Sequence, residues 1–77
     1  MSSSDFYDEF KLIGLKVSYY RKSQGMTQEQ LAEKLNTATS YIGAIEAPRM
    51  NKPITLTTLL KIAQALNTPA YKFLDYD

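Results

Sequence analysis

A chain of 77 residues has room for one domain, and the lack of cysteine and histidine excludes a disulfide framework, a thiolate metal centre and the commonest general base. Ordinary catalysis is therefore disfavoured, and neither metal nor cofactor is expected. The formal net charge of +1 hides a segregation: Asp5, Asp8, Glu9, Asp75 and Asp77 lie at the ends, while residues 10–72 hold all nine Lys and Arg against Glu29, Glu33 and Glu46. A basic middle with acidic ends is expected if one surface meets phosphate, although an ordinary solvated helical surface gives the same balance. The N-terminus has neither a basic n-region nor an apolar h-region, and no apolar run reaches membrane-spanning length. A cytoplasmic protein with no membrane partner is expected.

In chain order, residues 1–5 read as a disordered tail, and residues 6–77 as one all-α domain. Phe6, Phe10, Ile13, Val17 and Tyr20 recur at three- and four-residue steps, predicting a first helix over 6–23 that Gly25 stops. Thr27-Gln28-Glu29-Gln30 has the capping-box pattern and opens a second helix over 28–35. Thr37 is the expected cap of a third helix ending near Glu46, because Pro48 disfavours helical geometry before it. Residues 47–54 read as a loop with two prolines. Thr55 caps a fourth helix with apolar Leu56, Leu59, Leu60, Ile62, Ala63 and Leu66, and Thr68-Pro69 opens a short fifth one through Leu74.

The informative stretch is 27–46. Gln28, Leu31, Ala32, Asn36, Ile42 and Ile45 have the spacing of two short helices crossing steeply at a tight turn. Ala32 is small where the helices approach, Asn36 tolerates the left-handed backbone of the turn, and Ile42 and Ile45 return an apolar face onto Leu31 and Leu35. That is a helix-turn-helix, and it points to DNA.

With Arg21, Met26-Thr-Gln-Glu-Gln-Leu-Ala-Glu33, Tyr41-Ile-Gly-Ala-Ile-Glu46, Pro53 and Leu59-Leu-Lys-Ile-Ala-Gln-Ala-Leu66 in place, residues 13–74 resemble the phage repressor and Cro (XRE) family of helix-turn-helix regulators. The short controller proteins of restriction-modification systems are similar in size and layout. The resemblance implies a compact five-helix, lambda-repressor-like fold and a non-enzymatic, sequence-specific transcriptional regulator. It also implies a homodimer on palindromic double-stranded DNA. Gln28 matches the position that bonds a phosphate with help from a helix N-terminus. Arg21 and Glu46 match an interhelical ion pair, with Arg21 open to a phosphate contact as well. Thr39, Ser40, Gly43 and Ala44 match the base-facing positions. Tyr41, Arg49, Asn51 and Lys52 are candidate phosphate contacts.

The base-facing side chains depart from the usual pattern, because none is the Arg, Lys, Asn or Gln that makes bidentate contacts with purines. DNA shape is expected to carry more of the specificity. Pro48 departs too, replacing a frequent glycine and removing one amide donor. Tyr71, Phe73 and Leu74, with Tyr76, fit core closure, a dimer surface or a peptide-binding patch. The dimer interface is expected there, and Phe6, Tyr7 and Phe10 are able to join it. The competing reading is an antitoxin-like or partner-binding module that keeps the fold with weak DNA specificity.

Overall fold

The computed structural model describes residues 6–47 and 53–75, and of Tyr7 the backbone alone. The expected tail over 1–5, the loop residues Pro48, Arg49, Asn51 and Lys52, and Tyr76 lie outside the described residues. Among the described residues four α-helices follow in order, α1 (Tyr7–Ser23), α2 (Gln28–Lys34), α3 (Thr39–Glu46) and α4 (Leu56–Ala65), and a 3₁₀ turn, Ala70–Phe73, comes after them. No strand occurs among the described residues.

The fifth helix is therefore a correction. Extended Pro69 opens it, and its bonds span three residues, Lys72 N–H to Pro69 and Leu74 N–H to Tyr71 at 3.1 Å each. One tight turn suffices to aim Phe73 into the core, where it is fully buried and meets the Tyr20 ring edge-on at 5.3 Å.

Three helices end in the same way. The N–H of the left-handed residue and that of its successor reach back to carbonyls of the last turn, which otherwise lack partners. Gly25 (φ 67) and Met26 bond Lys22 and Arg21, Asn36 (φ 56) and Thr37 bond Glu33 and Ala32, and Asn67 (φ 51) and Thr68 bond Gln64 and Ala63. The repeated sequence Ala-x-x-Leu-Asn-Thr at 32–37 and 63–68 writes the last two. This overturns Thr37 as the cap of α3. Its backbone completes the end of α2, and Ala38 becomes the N-cap, with no side-chain cap bond. A methyl on Gly25 meets nothing within 4 Å, so only its left-handed backbone resists substitution. Gly25→Ala should lower stability by about 1 kcal/mol and Gly25→Asn by less, as read from urea melts.

Thr27 forms the expected capping box, accepting from the Gln30 N–H at 3.0 Å while its own N–H donates to Gln30 Oε1 at 2.8 Å. Thr55 caps α4 by accepting from the Thr58 N–H at 3.1 Å. The apolar faces then converge: Ile13 and Val17 of α1, Leu31 and Ala32 of α2, Ile42 and Ile45 of α3, and Leu59, Ile62, Ala63 and Leu66 around Phe73. Gln24, just past α1, donates through its amide to the Leu66 carbonyl, fastening the end of α1 to the end of α4. Gly14 allows a close approach of two helices. A Cβ there would lie 2.1 Å from the Ile45 carbonyl oxygen, so α1 touches the end of α3 backbone to backbone.

Candidate nucleic-acid interface

Helix α3 divides cleanly. At about 100° per residue, Thr39, Gly43, Ser40 and Ala44 share an arc of about 140°, and Ile42 and Ile45 occupy the opposite side in the core. Thr39 and Ser40 are exposed, Gly43 and Ala44 half-buried. The four base-facing candidates thus form one continuous, low-relief surface. Gly43 is not required by packing, because an added Cβ would meet only Gln28 Oε1 at an ordinary 3.5 Å. Gly43→Ala should raise stability by about 0.5–1 kcal/mol through helix propensity. A calorimetric midpoint below that of the native protein would contradict this.

Beside this surface lies a buried polar network. Arg21 is 6% and Glu46 8% exposed. The Arg21 guanidinium grips the carboxylate bidentately, Nε to Glu46 Oε2 at 2.7 Å and Nη2 to Oε1 at 2.9 Å, and its Nη1 donates to the Met26 carbonyl at 2.6 Å. Gln28 Nε2 donates to the same Glu46 Oε1 at 3.0 Å. One carboxylate therefore ties α1 to α3 and holds the first side chain of α2 in place. No buried side-chain polar atom among the described residues lacks a partner.

The Arg21 pKa is raised above its already high ordinary value, chiefly by the hydrogen bond to Glu46 and further by the Glu46 charge, against burial. A raised folded-state pKa gives stability that is fully present below the ordinary arginine value. It is lost only as pH climbs through the raised one, so the Arg21 contribution is constant across the neutral range.

This geometry sorts the candidates. Gln28 is half-buried at the α2 N-terminus, with one amide N–H engaged by Glu46 and its helix-end backbone at the junction with α3. Arg21 is turned inward by three bonds, and nothing in its burial carries the phosphate role. Tyr41 is half-buried against the core, on the side of α3 away from Thr39. Two residues not singled out as contacts enter here. Ser18 and Lys22 of α1 border the shallow depression floored by Gln28, Gly43 and Glu46. Their spacing on α1 with Arg21 is the signal that places them on the same side. At the chain end, Tyr71 is 68% and Leu74 45% exposed, but Phe73 is completely buried. Phe73 therefore closes the core and is withdrawn from the dimer surface, because a fully buried ring packed edge-on against Tyr20 cannot reach a second copy. Phe6 is exposed, and Phe10 packs on the core.

No helix among the described residues is long and apolar enough to cross a membrane, and none of their acidic side chains cluster as a metal site. Comparison with known proteins gives a match over residues 17–73 to the family described as Helix-turn-helix. Control protein C.SmaI of Serratia marcescens is 39% identical over 69 residues, covering 90% of this chain and 80% of that protein. Among solved structures, the restriction-modification controller protein C.AhdI of Aeromonas hydrophila superposes with a TM-score of 0.78 at 28% identity, over 87% of this chain and 98% of that one. SinR, a master regulator for biofilm formation crystallised in complex with DNA, superposes with a TM-score of 0.74 at 32% identity, over 82% of this chain and 98% of that one. The chain belongs to the helix-turn-helix family of XRE-type, sequence-specific DNA-binding transcriptional regulators.

Proposed function

We propose that this regulator works in the cytoplasm as a homodimer on a palindromic operator, with α3 of each subunit in the major groove. Thr39, Ser40, Gly43 and Ala44 face the bases, and Gln28 and Tyr41, with Arg49, Asn51 and Lys52 of the following loop, hold the phosphates. The observation that carries this reading is the continuous arc of α3, exposed at Thr39 and Ser40 and half-buried at Gly43 and Ala44, flanked by a Gln28 side chain fixed by Glu46. Tyr71 and Leu74 are the dimer contacts, both exposed and apolar beside the anchored Phe73. The likeness to C.SmaI and C.AhdI supports a compact regulator of the controller kind, and SinR in complex with DNA supports the docking.

Short base-facing side chains leave phosphate contacts to dominate affinity, so binding should weaken steeply with salt. Arg49→Ala or Lys52→Ala should lower affinity on all sequences alike and reduce the salt slope by about 1 per charge per subunit. Thr39→Ala or Ser40→Ala should mainly relax sequence preference, measured by selection from a random DNA pool. Loop substitutions that left affinity and salt slope untouched would remove this docking. A dimer binding no DNA better than about 10⁻⁴ to 10⁻⁶ M would make the protein-interaction reading the better one.

A further inference from the structure

Helix α1 has two apolar faces, and the fold uses one. Phe10, Ile13, Val17 and Tyr20 point to the core, whereas Leu12, Leu15 and Tyr19 are 36%, 41% and 65% exposed. At about 100° per residue these three fall within an arc of about 60°. Lys11 and Lys22 border the stripe on one edge and Lys16 on the other, and Asp8 lies in line with it at the N-terminal end. Asp8 and Lys22 are exposed, and neither pairs with another described residue.

The charges along this stripe are polarised about its centre. Asp8 lies seven residues before Leu15 and Lys22 seven residues after it, so the three share one side of the helix two turns apart. We propose that the stripe is a self-association surface on which α1 packs antiparallel against α1 of a second copy, with the twofold axis at Leu15. In that arrangement Asp8 meets Lys22 of the second copy at both ends, and Leu15 meets its own counterpart. Leu12 lies beside Tyr19 of the second copy, and Lys11 reaches over the same ring. Parallel pairing sets Asp8 against Asp8 and Lys22 against Lys22. A wholly acidic partner helix satisfies the lysines but repels Asp8, so a second copy is the better complement. One helix pair buries less than the roughly 1,000 Å² typical of a stable interface, so the association is weak and concentration-dependent. It is separate from the surface at Tyr71 and Leu74 and does not rest on it.

The chain has no cysteine, so Leu15→Cys supplies the only thiol, and it sits on the proposed axis. Under mild oxidation at micromolar concentration without DNA, L15C should form a disulfide-linked dimer roughly tenfold faster than a control thiol at exposed Glu33→Cys. Adding Asp8→Lys to L15C should slow the reaction, and adding Lys22→Asp to that pair should restore it. Leu74→Asp should leave the L15C rate unchanged. Cross-linking no faster than the control overturns the proposal, as does a charge swap that fails to restore the rate. Loss of the cross-link in the Leu74→Asp background also overturns it, because the stripe would then be brought together only by the other surface.

Discussion

Gly14→Ala should destabilise the domain by about 2–3 kcal/mol. The added methyl would enter a space 2.1 Å from the Ile45 carbonyl oxygen, an atom of the backbone that cannot rotate away. Helix propensity favours alanine by up to about 1 kcal/mol, and overpacking typically costs about 1–3 kcal/mol, more where backbone must move. The second effect wins because relief requires α1 and α3 to separate, which also strains the Arg21–Glu46 pair, with Glu46 next to Ile45 and Arg21 two turns along α1. For a domain of this size the thermal midpoint should fall on the order of 10–20 °C. Calorimetry checks it, and a midpoint equal to or above that of the native protein would mean the two backbones do not meet. Gly43→Ala, in an open helical position, is the matched control, with the opposite sign expected.

Gly14 also shows where sequence reading stops. The helices were legible from periodicity and caps, because each signal is local: the capping box at Thr27, the Thr55 cap, and Gly25 and Asn36 at left-handed ends. The Arg21–Glu46 pair was readable from family resemblance. Four features were not legible, and each depends on placement in space. A glycine mid-helix gives no hint of which backbone approaches it. Thr37 has the composition of a cap, but its backbone closes the end of α2 and α3 starts one residue later, after Ala38. Phe73, one of three neighbouring apolar side chains, turns inward only because a 3₁₀ turn aims it at Tyr20. The α3 surface was visible as a pattern, whereas the fastening of Gln28 to Glu46 was not, since the two lie eighteen residues apart.

That fastening makes Glu46 the position where stability and the proposed DNA surface meet. Glu46→Ala strips a buried guanidinium of its carboxylate and leaves it only the Met26 carbonyl. Removing one partner of a buried pair costs about 3–5 kcal/mol. A domain of this size has about 4–12 kcal/mol in total, so the variant should be partly unfolded at modest temperature. Replacing both partners with apolar groups, Arg21→Met with Glu46→Leu, removes the uncompensated charge and should recover most of that loss. The double variant still lacks the acceptor for Gln28 Nε2. If Gln28 holds a phosphate as proposed, a well-folded double variant should bind operator several-fold more weakly than the native protein, by about 1 kcal/mol for one lost orienting hydrogen bond. In that background Gln28→Ala should cost less affinity than it does in the native protein, because an unanchored side chain has less to lose. Equal costs in the two backgrounds, measured by anisotropy titration on the selected operator, would show that Glu46 braces the fold without positioning Gln28 for DNA.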